Sequence, residues 1–139
     1  GGGMPGIPLA IVRPGQHVTL LDSNSKKAAF LKQSAIELAL PNISVHCGRV
    51  EQYHPPMTFS AITSRAFAEL ADFVNLSKHL LASKGRWQAM KGVWPQEEIA
   101  RLPSDVCVDG VHRLKVPGVE GERHLVVMQC ADASNARER

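Results

Sequence analysis

Between residues 17 and 40 the spacing of apolar side chains changes period abruptly, and this change constrains the fold most. "HVTLLDS" is a short run of leucines and β-branched residues that ends in an acid, the pattern of a buried strand. "NSKKAAFLKQSAIELAL" follows at once, placing Ala28, Phe30, Leu31, Ala35, Ile36, Leu38 and Leu40 at roughly helical spacing before Pro41-Asn42. A strand running straight into an amphipathic helix is the first half of a βαβ unit.

The same alternation recurs along the chain. "PGIPLAIVRP" predicts a helix that starts at proline and stops at Pro14. "ISVHCGRVE" predicts a strand, "HPPMT" a loop, and Phe59–Thr63 within "FSAITSRAF" a second buried strand. "LADFVNLSKHLLAS" predicts a helix closed by Lys84-Gly85, and "GRWQAMKG" a strand ending at Lys91-Gly92. "PQEEIARLP" is a short helix between prolines. "CVDGVHRLKVPG" and "ERHLVVMQC" are two strands about a turn at residues 117–121, and "ADASNARER" is a flexible tail. The order is helix, strand, helix, strand, strand, helix, strand, helix, strand, strand. Strands alternating with helices predict an α/β fold with a mostly parallel sheet, and the closing strand pair adds an antiparallel strand. One domain over residues 1–130 and a tail over 131–139 are expected.

Composition narrows the class. An apolar fraction of 44% suits a globular chain, and runs such as "LVVM" fall far short of the roughly 18 residues a membrane span needs. Sixteen Lys and Arg against thirteen Asp and Glu give a net charge of +3, compatible with a nucleic-acid partner. Cys47, Cys107 and Cys130 contain no CxxC pair, and we expect three reduced thiols acting as small buried hydrophobes in a cytoplasmic protein. The histidines show no metal-binding spacing, so no metal is expected.

In open α/β sheets ligands bind at the carboxyl ends of the strands. On the predicted strands those positions hold Asp22, Val50-Glu51, Ser64-Arg65 and Lys91-Gly92, and the opening glycines precede a helix N-terminus at Pro5–Ile7. Glycines admit close backbone approach to a ligand. Asp22 lies about 20 residues on at a strand end, the spacing at which an acid accepts from ribose hydroxyls in nucleoside-cofactor folds. A solvated strand-end acid is the plain alternative for Asp22, as a surface acid is for Glu51. Arg65, directly after an apolar strand, needs a partner or water. Lys26, Lys27 and Lys32 share one helix, either as a solvated face or as an RNA contact.

The segments "GGGMPGIPLAIVRP", "VTLLDSNSKKAAFLKQ", "RVE", "ITSRAFAEL", "AMKG" and "VPGVEGERHLVV" together resemble the bacterial 16S rRNA methyltransferase G family, also called glucose-inhibited division protein B. The resemblance runs from Gly1 to about Gln129. It implies a class I, Rossmann-like methyltransferase fold and transfer of a methyl group from S-adenosyl-L-methionine to N7 of a guanine in small-subunit rRNA. It implies that Gly1, Gly3 and Met4 belong to the cofactor loop, that Asp22 binds the ribose, that Val50 and Glu51 flank the adenine, and that Arg65 lies at the cofactor and substrate site. Lys91 and Arg123 match family motifs and, with Lys26 and Lys27, are candidate RNA contacts; for Arg123 and His124 packing of the terminal hairpin is the alternative.

The implied partner is 16S rRNA in the 30S subunit or its precursor; no membrane or DNA partner is expected, and the chain is expected to be a cytoplasmic monomer. Guanine N7 carries a lone pair and no proton, so the reaction needs alignment rather than a general base; no catalytic acid–base residue is expected. The resemblance also implies a helical segment and a first strand ahead of Gly1, that strand lying between the family's second and fourth strands. Without it, two sheet edges are expected to be open, and the 139-residue chain is expected to bind cofactor weakly and show little activity. Two other readings stand beside this one. A non-catalytic RNA- or nucleotide-binding remnant shares the same residues, and a nicotinamide oxidoreductase shares only the glycines and Asp22.

Overall fold

A computed structural model describes residues 5–65, 69–115, 117–118 and 120–131. The chain divides into two compact units, Gly1–Tyr53 and His54–Arg139. Element order follows the sequence pattern: α1 (Gly6–Val12), β1 (Val18–Asp22), α2 (Ser25–Glu37), β2 (Ile43–Cys47), β3 (Phe59–Ser64), α3 (Leu70–Ser77), β4 (Leu81–Lys91), α4 (Gln96–Ala100), β5 (Val106–Leu114) and β6 (Arg123–Cys130). Among the described residues no helix is long and apolar enough to cross a membrane.

In the first unit β1 and β2 pair in parallel, from Val18 opposite Ile43 to Asp22 opposite Cys47. Helix α1 packs closely on this ribbon: a side chain at Gly6 would run into Leu20 of β1. Asn42 fastens the other end of α1, its Nδ2 donating to the carbonyls of Ala10 at 3.1 Å, Arg13 at 3.3 Å and Gln16 at 2.9 Å. Helix α2 opens on Asn24, whose Oδ1 accepts from the Lys27 amide at 3.1 Å. It stops at Glu37, short of the predicted Leu40, because Ala39 turns left-handed at φ 53° and the Leu40 amide folds back on the Ala35 carbonyl at 2.9 Å. Ala10, Leu20, Ala28 and Leu31 are the buried apolar residues here.

The second unit holds a four-stranded sheet in the order β3-β4-β6-β5. β3 and β4 are parallel, and β6 runs antiparallel to both β4 and β5. The closing strand therefore lies inside the sheet. Leu70, Phe73 and Val74 of α3 pack on Trp87, Ala89, Val126 and Met128 to form the core. Trp87 is fully buried, and its indole N–H donates to Ser77 Oγ at 3.0 Å, which in turn bonds the Phe73 carbonyl.

Three further expectations are corrected, two element bounds and the burial of Cys47. The helix predicted to run from Leu70 to Lys84-Gly85 ends at Ser77, and a single 3-10 turn leads into β4 at Leu81. Ladder pairing overrides the helical pattern: Leu81 faces Phe59, then the register jumps so that Arg86 faces Ala61. Gly85 sits inside this bulge, where a Cβ would stand 2.6 Å from Leu81 and 3.0 Å from the Ala82 carbonyl. It marks a close approach, not a helix end. The strand predicted over "ISVHCGRVE" ends at Cys47, and Val50–Gln52 form a 3-10 turn. Cys47 is exposed, because β2 has only β1 beside it among the described residues; Cys107 and Cys130 are half-buried. Among the described residues β1 pairs with β2 alone and β3 with β4 alone.

Candidate functional site

The carboxyl end of the β1–β2 ribbon gathers three of the predicted residues. Asp22 is the last residue of β1, half-buried, and its carbonyl accepts from the Gly48 amide at 3.0 Å. That bond carries the chain from β2 straight past Asp22 into Arg49 and the Val50–Gln52 turn, so Asp22, Val50 and Glu51 share one end of the ribbon. The Asp22 carboxylate is oriented locally, since Oδ1 accepts from the Asn24 amide at 2.8 Å. Val50 and Glu51 are half-buried, Glu51 3.7 Å from the Arg49 guanidinium. Tyr53 closes the turn by stacking on His46, ring centroids 4.5 Å apart. Lys26 and Lys27 are exposed on the first turn of α2. Cations are disfavoured beside the positive end of a helix, so helix stability does not explain their position.

In the second unit the register places the other candidates along one sheet edge. Ser64 faces Ala89, Lys91 faces His124, and His124 faces Arg113. Arg65 follows β3 and is exposed. Arg123 is also exposed, its guanidinium donating to the Glu122 carbonyl at 2.8 Å. His124 is 4% exposed and its Nδ1 lies 2.7 Å from the Gly92 carbonyl, which is a packing role.

Lys91 stands apart from the other cations. Its side chain is 14% exposed and its Nζ lies 2.8 Å from Glu98 Oε1. Glu98 Oε1 also accepts from the Leu70 amide at 3.1 Å, so one carboxylate ties the end of β4 to the first turn of α3. Beside it Arg101 grips Glu69 through two hydrogen bonds of 2.7 and 3.2 Å. This pairing holds the Glu69 carboxyl below its ordinary range and raises the already high pKa of Arg101. Glu69, Glu98, Arg101 and the exposed Trp94 were not predicted from the sequence. The signal for Glu98 and Arg101 was the polar, proline-bounded "PQEEIARLP" soon after a strand end, which Trp94 directly precedes; nothing in it points to Glu69. Gly1, Gly3 and Met4 lie outside the described residues.

Solved structures show the class of fold. An rRNA methylase from Streptococcus thermophilus superposes with a TM-score of 0.65 at 14% identity, over 95% of this chain and 82% of that one. Coclaurine N-methyltransferase superposes with a TM-score of 0.68 at 11% identity, over 82% of this chain and 44% of that one. The chain has the class I methyltransferase fold: α/β, with parallel strand pairs and an antiparallel strand.

Sequence comparison gives the family. The model of rRNA small subunit methyltransferase G matches residues 1–126, and the chain belongs to that family. Ribosomal RNA small subunit methyltransferase G of Laribacter hongkongensis is 61% identical over 126 residues, and that of Neisseria meningitidis serogroup B 59% over 128. These matches take in 91% and 92% of this chain and 61% of each relative, so the chain spans about three fifths of their length.

Proposed function

We propose that this chain carries the cofactor- and RNA-facing part of an S-adenosyl-L-methionine-dependent methyltransferase that acts on N7 of a guanine in 16S rRNA, in the 30S subunit or its precursor. Residues 1–130 form the methyltransferase domain. The observation that carries the reading is Asp22 at the end of a parallel strand, with Val50 and Glu51 on the adjoining turn, in a chain of this family.

The residues present fit the cofactor. Asp22 is a half-buried carboxylate, and with Oδ1 held by the Asn24 amide its other oxygen is the acceptor that a ribose diol requires. Val50 offers an apolar wall for a purine and Glu51 an acceptor for an exocyclic amine. By the family resemblance Gly1, Gly3 and Met4 belong to the cofactor loop and Arg65 to the cofactor and substrate site, an arginine being suited to a carboxylate or a phosphate. The bound cofactor supplies an activated methyl group. The chain's task is to align acceptor and donor, since an unprotonated ring nitrogen needs no base. Lys26, Lys27 and Arg123, all exposed, meet RNA phosphates. Lys91, within the second unit, acts indirectly, by fixing Glu98 and through it the start of α3.

A protein carrying this sequence, given methyl-labelled cofactor and 30S subunits, is expected to label 16S rRNA at a guanine that becomes cleavable by borohydride and aniline, the signature of N7 methylation. Label that resists this cleavage contradicts the N7 assignment, and label on no RNA contradicts the RNA reading.

A further inference from the structure

We infer that Trp94 is a platform on which an unpaired base of the RNA substrate stacks; the inference rests on the RNA reading above. Trp94 lies three residues beyond Lys91, just past the carboxyl end of β4, where open α/β sheets take their ligands. The chain has two tryptophans, and they are treated oppositely: Trp87 is fully buried, whereas Trp94 is 53% exposed. An indole ring is among the side chains with most to gain from burial.

The exposed ring is held in place. It meets His124 edge to face, centroids 5.6 Å apart and planes at 83°. His124 is itself buried and fixed to the Gly92 carbonyl. The buried Pro95 restricts the backbone of Trp94 from the other side. A ring packed against a fixed neighbour and still half exposed is preorganised for contact with a ligand, so little side-chain entropy is lost on stacking.

The surroundings favour a base over a protein. Trp94 borders an open recess of about 530 Å³ whose wall includes Glu69, Glu97, Glu98 and Arg101. Glu69 is paired with Arg101 and Glu98 with Lys91, so two of the three carboxylates are neutralised. Arg123, one residue before His124 at the start of β6, is exposed. Val93 is the one large exposed apolar neighbour in sequence; two such side chains suit a nucleobase, whereas a stable protein interface buries about 800 Å² on each partner. Stacking on an aromatic ring is a common way to hold single-stranded RNA.

The test is a titration of the 139-residue chain, its Trp94→Phe variant and its Trp94→Ala variant with a single-stranded RNA octamer, and with the same octamer carrying abasic central positions, at low salt. Binding is read by filter retention and by tryptophan emission. The intact octamer is expected to quench the wild-type emission and shield it from acrylamide, and the Phe variant, which retains only the buried Trp87, is expected to show neither effect. Trp94→Ala is expected to bind roughly tenfold more weakly and Trp94→Phe within about threefold of wild type. Should the Ala variant lose its far-UV circular dichroism, the quenching and the Phe variant decide. Tight binding without quenching, equal quenching by the abasic octamer, or an unaltered affinity in a folded Ala variant overturns the stacking proposal and leaves the RNA reading standing. A concentration-dependent blue shift without RNA makes this face a self-association surface and also overturns it. Failure of the wild-type chain to bind either octamer overturns both.

Discussion

The two units of this chain use similar apolar composition to different effect. The second surrounds Trp87 with a continuous core, sheet on one side and α3 on the other, and satisfies the indole N–H inside it. The first has a two-stranded ribbon and buries Ala10, Leu20, Ala28 and Leu31, while Ile11, Val12, Phe30, Ile36 and Leu38 are exposed. A two-stranded ribbon is marginal on its own. The contrast teaches that the proposed ribose-binding acid stands on the thin ribbon, away from the continuous core that stabilises the second unit.

The sharpest way to break the contrast is to remove its anchor. Trp87→Ala is expected to destabilise the second unit by about 3–5 kcal/mol, measured by urea unfolding, because the cavity cannot close around a rigid sheet. Ser77→Ala strands the indole N–H and is expected to cost about 1–3 kcal/mol. In the first unit Asn42→Ala removes three hydrogen bonds to the end of α1 but is expected to cost only about 1 kcal/mol, since two of them are exposed. Its clearest readout is faster amide exchange confined to residues 5–53. If β1 and β2 exchange as slowly as β4 and β6, the contrast between the units is wrong.

The smallest effect is electrostatic. Arg101 lowers the Glu69 pKa from 4.5, so the pair stabilises the folded state above the ordinary glutamate range and loses that contribution as pH falls through the lowered value. The melting-temperature difference between wild type and Glu69→Gln is expected to be flat from pH 6 to 9 and to shrink below about pH 4. Both groups are partly exposed, so the change is small.

Element order was legible in the sequence because the apolar period changes cleanly from two to roughly 3.6 at each junction. The end of α3 was not, because "HLLAS" carries a helical pattern that only pairing of Leu81 with Phe59 overrides. At the site, Asp22 was legible as the end of a strand, whereas Val50 and Glu51 lie on a 3-10 turn beyond the true end of β2 at Cys47, which the apolar pattern did not mark. The bonds of Glu98 to Lys91 and Leu70 could not, since they join residues 7 and 28 positions apart through tertiary packing.

The central claim is that the end of the β1–β2 ribbon holds the cofactor. Titrating the isotope-labelled 139-residue chain with S-adenosylhomocysteine, followed by amide chemical shifts, tests it even when binding is weak. Changes are expected to concentrate at residues 22–24 and 48–51, with an affinity at least tenfold lower in Asp22→Ala. Shift changes that avoid those residues, or an Asp22→Ala variant that binds like wild type, would contradict it.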